Sequence, residues 1–235
     1  MTVLRHYSGG SRLPRHRHLD AYAAVVLAGE FVEAGDRGRH RLAAGQVVFH
    51  RAFEAHRDEF ARRGAVVLDL PLPLCPAFAT GELASLDSVV RLARCDPSGA
   101  AALLLEGARP TEAALADWPD SLARALASEP ETSLTIWAER NGLTPQALSR
   151  GFRQAYGTSA KRFRAEHRAQ RAVRALPGWT GTLAGLAAEA GFVDQAHLTH
   201  AVVSLTGWTP GQLRAKCCDV GRASLALEGA IAEQH

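Results

Sequence analysis

The sequence predicts an α+β protein. A β-rich N-terminal part closed by a helical hairpin is followed by an all-α part built from two copies of one helical unit. Three observations carry this expectation. Up to Leu70 the chain is a series of short apolar or β-branched runs; from Gly81 the apolar period lengthens to that of a helix; and the C-terminal half repeats itself.

The runs at residues 21–28, 45–50 and 65–70 read as strands, separated by Gly- and charge-rich turns such as 33–38. Pro71, Pro73 and Pro76 then end the β region, because proline lacks the amide that a sheet ladder needs. That region is short for a full barrel, so helices or a partner chain are expected to complete it. Leu83, Leu86, Val90 and Ala93 recur at helical spacing until Asp96-Pro97 breaks the pattern. A second helix is expected over 100–108 and a third, short one over 111–118, with Trp118-Pro119 as a linker into the C-terminal half. The apolar stripe of these helices suits either homodimerisation or bracing of the β part.

With 235 residues, 47% of them hydrophobic and 22% charged, the chain is not mainly disordered. Its longest apolar stretch, residues 23–28, is far below the ~20 residues of a membrane span. No charged-then-apolar leader opens the sequence, and Cys75, Cys95, Cys217 and Cys218 lack zinc spacing. A cytoplasmic protein with reduced thiols and no membrane partner is therefore expected.

The net charge of +3 is unevenly spread. Residues 1–118 balance 14 Arg against 14 acids, whereas 140–174 hold nine basic residues against Glu166 alone. Between 176 and 213 there is no Lys or Arg. A focused basic segment of this kind is the footprint of a polyanion-binding surface.

The repeat pairs LTIWAERNGLTPQALSRGFRQAYGTSAKRFR, from Leu134, with LAGLAAEAGFVDQAHLTHAVVSLTGWTPGQLR, from Leu183. Ala138 and Gly142 align with Ala187 and Gly191; one extra residue in the second turn then aligns Leu148 with Leu198. A small alanine lets two helices cross closely and glycine permits the positive-φ turn, the needs of a helix-turn-helix. Thr144-Pro145 and Asp194 are N-terminal caps for each second helix. A long arginine-dense helix, 160–176, joins the copies.

Two such units joined by one helix resemble the AraC/XylS family of bacterial transcription regulators. The match is carried by Leu134, Ala138, Gly142, Leu148-Ser149-Arg150, Phe152, Gly157, Arg168 and Ala172. In the second copy it is carried by Ala187, Gly191-Phe192, Asp194-Gln195, Leu198, Gly207, Thr209-Pro210 and Leu213-Arg214. The resemblance implies double-stranded DNA and RNA polymerase as partners, and places the second helix of each unit in the major groove. Gln146, Ser149 and Arg150 would then read bases and Arg153 would sit on phosphate. In the second unit the groove-facing set is Gln195, His197, Thr199 and His200. His200 stands where the family usually has arginine, and Val203 where it has a phosphate-binding cation. A protein that keeps the fold without binding DNA is the alternative this weak second unit leaves open.

The β part resembles a cupin. Gly10, His16, His18, Gly29, Gly45 and His56 fall at the spacing of the two cupin motifs, with Tyr22 in place of the glutamate ligand. The resemblance implies a barrel with His16, His18, Tyr22 and His56 facing its interior. A metal site, a metal-free effector pocket and a purely structural barrel all remain open. Because a phenol is a poor ligand near neutral pH, no stoichiometric transition metal and no other cofactor are expected in the protein, His16, His18 and His56 being the set that would otherwise hold one. A cupin-type metal-dependent enzyme fused to a helical domain is the alternative to a regulator. The expected division is a cupin-like sensor or dimerisation domain (1–78), linker or dimerisation helices (79–118), the DNA-binding domain (119–217) and a tail (218–235). A homodimer and a small-molecule effector complete the expectation.

Overall fold

The structure, a computed structural model, describes residues 2–111, 114–129 and 131–215. Cys217, Cys218 and the tail 218–235 lie outside the described residues. The chain forms two compact units, Met1–Phe163 and Arg164–His235.

In the first unit, eight strands make one antiparallel sheet. They are β1 (Val3–Tyr7), β2 (Arg12–Arg17), β3 (Tyr22–Gly35), β4 (Gly38–Ala43), β5 (Gln46–His50), β6 (Ala55–Pro71), β7 (Thr80–Leu83) and β8 (Ala108–Pro110). Two long strands organise it. β3 takes β5 beside its first half and β4 beside its second, while β6 takes β2 at its start and β1 at its end. β3 and β6 pair with each other from Tyr22↔Pro71 to Gly35↔His56, with bulges around Ala28 and Gly29. Glycine is required there: Gly29 has φ +76°, and a Cβ on it would fall 2.0 Å from the Gly64 carbonyl oxygen.

The expected turn at 33–38 is shorter than its composition suggests. Gly35 pairs directly with Gly38, so only Asp36 and Arg37 turn the chain, and Glu33 is a buried strand residue. Nor do the prolines end the sheet, since β7 pairs with β5 and β8 with β7. These late strands supply what the early ones lack.

Strand alternation gives the sheet two apolar faces. Ala23, Val25, Phe49, Leu68 and Leu70 lie under the helical hairpin α1 (Leu86–Ala93) and α2 (Pro97–Gly107), against Val89, Ala93 and Leu104. Ala24, Val26, Phe31, Phe60 and Val67 make a second core on the other face. Asp96-Pro97 starts α2 as well as ending α1: Asp96 accepts from the Gly99 amide at 2.9 Å, and Pro97 is the first helical residue.

The short helix expected over 111–118 does not form among the described residues. Ala114 bridges His40 in β fashion, and α3 (Trp118–Ser128) begins where a linker was expected. Asp117-Trp-Pro is a helix start: Pro119 presets φ, and the Asp117 amide donates to Asp120 Oδ2 at 3.1 Å. Helix α3 packs on the first helical repeat, α4 (Leu134–Arg140) and α5 (Pro145–Tyr156). Leu122, Leu126, Ala138, Leu148, Phe152 and Tyr156 form one core with Ala34 of β3 and Phe163 of α6 (Ala160–Ala175).

Polar links tie this helical group to the sheet. Arg39 of β4 donates from Nε and Nη2 to Asp120, at 3.0 Å each, and Tyr156 Oη donates to the same carboxylate at 2.8 Å. Arg57 of β6 donates to the Gln154 carbonyl of α5. The Arg15 guanidinium of β2 lies 5.7 Å from the centre of the Phe163 ring and pairs with Asp36.

In the second unit α6 ends in a short 3-10 turn, Leu176–Gly178, followed by α7 (Leu183–Glu189) and α8 (Gln195–Thr206). Ala172, Leu176, Leu186, Ala187, Leu198 and Val202 form its core. Among the described residues, no helix is long and apolar enough to cross a membrane.

Candidate functional site

Each repeat folds as its sequence requires. Thr144 Oγ1 accepts from the Ala147 amide at 3.1 Å and Asp194 Oδ1 from the His197 amide at 2.7 Å, capping α5 and α8. Gly142 and Gly191 occupy the positive-φ turns, at +65° and +75°. Leu148, Phe152 and Tyr156 bury one side of α5 and leave Gln146, Ser149, Arg150 and Arg153 exposed on the other. On α8, Leu198 and Val202 are buried while Gln195, His197 and His200 are exposed. Thr199 differs from the rest of its set: it is half-buried, and its hydroxyl donates to the Gln195 carbonyl at 2.9 Å. His197 sets its ring edge-on to Phe192, with centroids 5.1 Å apart.

The sheet encloses a cavity of about 380 Å³. His16, His18, Tyr22 and His56 all line it, together with the apolar Leu13, Phe31 and Phe60 of β2, β3 and β6. β2 pairs with β6 at His16↔His56, which is why two histidines forty residues apart meet; their ring centroids are 4.3 Å apart. Burial, and then the charge of His56, lowers the His18 imidazole to about 4; burial likewise lowers His16. His56 behaves oppositely. Burial alone would depress it, but the Glu33 carboxylate and the bond to Asp58 raise it to about 10. As an imidazolium it donates from Nδ1 to Asp58 Oδ1 at 3.1 Å and from Nε2 to the Tyr22 hydroxyl at 3.0 Å.

His16, His18 and His56 have donor atoms within 4.8 Å of one another. They nevertheless do not fit the metal that the cupin resemblance implies. Burial holds the Tyr22 phenol protonated, and its hydroxyl is bonded to His56 Nε2 at 3.0 Å, so the position of the cupin glutamate carries a neutral oxygen already engaged with one of the three histidines.

A family profile described as a helix-turn-helix domain matches residues 137–216, spanning both repeats and the helix between them. These residues are an AraC-type helix-turn-helix domain. The chain is a DNA-binding transcription regulator, and the enzyme alternative is not favoured. No curated protein matches the chain. Among solved structures it is similar to the C-terminal domain of AraT, a response regulator from Geobacillus stearothermophilus, at 21% identity and TM-score 0.40, over 43% of this chain and 87% of that one. It is also similar to ToxT from Vibrio cholerae with a bound unsaturated fatty acid, at 8% identity and TM-score 0.42, over 90% and 94%. KdgF from Halomonas sp. matches 29% of this chain and 64% of its own, at 20% identity and TM-score 0.28.

Beside the expected pocket residues the regulator buries three that sequence reasoning missed: Glu33, His50 and Asp58, each 5% exposed or less. Glu33 Oε2 lies 3.2 Å from His50 Nε2 and 3.4 Å from His56 Nδ1. The two imidazoles hold the Glu33 carboxyl below the usual carboxylate range although its burial opposes this. One signal for Glu33 was available: it sits two residues from Phe31 and two from Gly35, in phase with the inward face of β3.

Proposed function

We propose that this regulator responds to a small-molecule effector held among His16, His18, Tyr22 and His56, and that it reads DNA chiefly with α5. Gln146, Ser149 and Arg150 take the base edges and Arg153 a phosphate. Gln195, His197, Thr199 and His200 of α8 make a weaker second set, since its neighbourhood carries no Lys or Arg between 176 and 213. The division into a sensor (1–78), bracing or dimerisation helices (79–118) and a DNA-binding part (119–217), together with a homodimer, contact with RNA polymerase and a cytoplasmic location, belongs to the same reading.

One observation carries the effector response. β6 turns His56 and Asp58 into the cavity, and Arg57 between them donates to the Gln154 carbonyl near the end of α5. Alternate residues of one strand thus touch the pocket and the recognition helix. The test is a genome-wide map of bound DNA, followed by affinity measurements on the recovered operator. Arg150→Ala is expected to cost about 1–3 kcal/mol and relax the choice of one base pair. Discrimination lost at one base pair and kept at the others in Arg150→Ala would support the reading; unchanged selectivity would remove α5 from it.

A further inference from the structure

We propose that Glu33, His50 and His56, with solvent completing the shell, form a site for one first-row divalent metal ion of the zinc type, set behind the effector pocket. The set differs from the three-histidine set of the cupin resemblance and shares only His56 with it.

The distances are those of a coordination shell. A tetrahedral ion with ligands at about 2.0–2.1 Å holds them about 3.3–3.4 Å apart. Here Glu33 Oε2 is 3.2 Å from His50 Nε2 and 3.4 Å from His56 Nδ1. Donor atoms of Glu33, His50 and His56 all lie within 4.8 Å of one another.

The hydrogen bonding points the same way. His50 is 4% exposed, and its Nε2 is buried without a hydrogen bond although the Glu33 oxygen is near. Its ring is fixed by stacking on Tyr22 with centroids 4.5 Å apart. A nitrogen and an oxygen that converge without bonding each other suit a cation between them. On the far side of His56 the Tyr22 hydroxyl accepts from Nε2, which leaves Nδ1 as the ligating atom; metal-bound histidines are held in this way through their other nitrogen.

Charge agrees as well. Two carboxylates, of Glu33 and Asp58, are 3% and 4% exposed and lie within 3.4 Å of His56 Nδ1. On binding, the His56 Nδ1–H bond breaks, its proton leaves to solvent, and coordinate bonds form from Nδ1, His50 Nε2 and Glu33. The divalent ion then balances both carboxylates. Glu33, His56 and Asp58 all reach the cavity wall, so an entry path exists.

The test titrates the purified, chelator-treated full chain with Zn²⁺ and with Co²⁺, and counts imidazoles by X-ray absorption. One ion per chain with two imidazoles in its shell is expected. Glu33→Gln and His50→Gln should abolish stoichiometric binding. Tyr22→Phe should weaken it about 10–100-fold, and His16→Ala and His18→Ala should leave the stoichiometry unchanged. No stoichiometric ion overturns the proposal. So do three imidazoles in the shell, or binding lost in His16→Ala but kept in Glu33→Gln. If Glu33→Gln fails to fold by circular dichroism, the imidazole count of the wild type decides alone.

Discussion

Replacing Tyr156 by Phe removes a single oxygen from a fully buried ring and tests how firmly the sheet holds the first DNA-binding unit. The Tyr156 hydroxyl donates to Asp120 Oδ1 at 2.8 Å. The same carboxylate accepts two bonds from Arg39 at 3.0 Å and one from the Asp117 amide at 3.1 Å. A hydrogen bond to a charged group contributes about 1.5–3 kcal/mol, and three bonds to Asp120 remain, two from Arg39 and one from the Asp117 amide, so a loss near the lower figure is expected. Arg39→Ala should cost about 3–5 kcal/mol, because it leaves a buried carboxylate without its cation. Arg39 and Tyr156 act on one oxygen, so the double variant should depart from additivity by about 0.5–3 kcal/mol. Burial alone would raise the Asp120 carboxyl; the bonds from Arg39, Asp117 and Tyr156 overcome this and hold it below its ordinary value. Its contribution is therefore full above the ordinary carboxylate pKa and is lost as pH falls through the depressed folded-state value. Urea unfolding of the four proteins at pH 7.5 and in strong acid measures all of this. A Tyr156→Phe penalty under about 0.5 kcal/mol at pH 7.5, or strict additivity with Arg39→Ala, would refute the shared carboxylate.

Salt titration of operator affinity should separate the cations of α5. Arg153→Ala lowers the slope of log K against log salt by about one and weakens all sequences alike, whereas Arg150→Ala alters selectivity. His200→Ala should cost less than either; an equal cost would mean that α8 contributes as much as α5. Phe152→Ala empties the centre of the first helical core and should destabilise by about 3–5 kcal/mol in chemical unfolding. An intact midpoint would place Phe152 outside that core. Sedimentation should detect a dimer at micromolar concentration in the presence of operator DNA, and a monomer with and without DNA would remove the homodimer from the proposed function.

The helical half was legible because its determinants are local. Thr144, Asp194, Gly142 and Gly191 act on their own turns, and the spacing from Leu148 to Phe152 fixes the buried face of α5 without reference to anything distant. In the β half the histidines were found from their spacing, but their neighbours depended on register. Glu33 looked like a turn residue because it stands beside Gly35, Asp36 and Gly38. Only the Gly35↔Gly38 pairing shows the turn to be two residues long and puts Glu33 on the inner face. His50 and Asp58 reach the same place through β5 and β6, which no local pattern specifies. Trp118-Pro119 misled for a different reason. Proline after an aromatic residue suits both a linker and a first helical turn, and what decides is Asp120, whose partner Arg39 lies far back in the chain.

The bonds from Arg39 and Arg57 to the helices also bear on the use of this protein as a source of parts. A DNA-binding fragment cut out at residue 119 and fused to a foreign receptor would carry Asp120 and Tyr156 without Arg39, and the Gln154 carbonyl without Arg57. Such a chimera needs a replacement cation facing Asp120, or a neutral residue there with Phe at 156. Without one it inherits a buried charge that the parent chain neutralises from a strand eighty-one residues upstream.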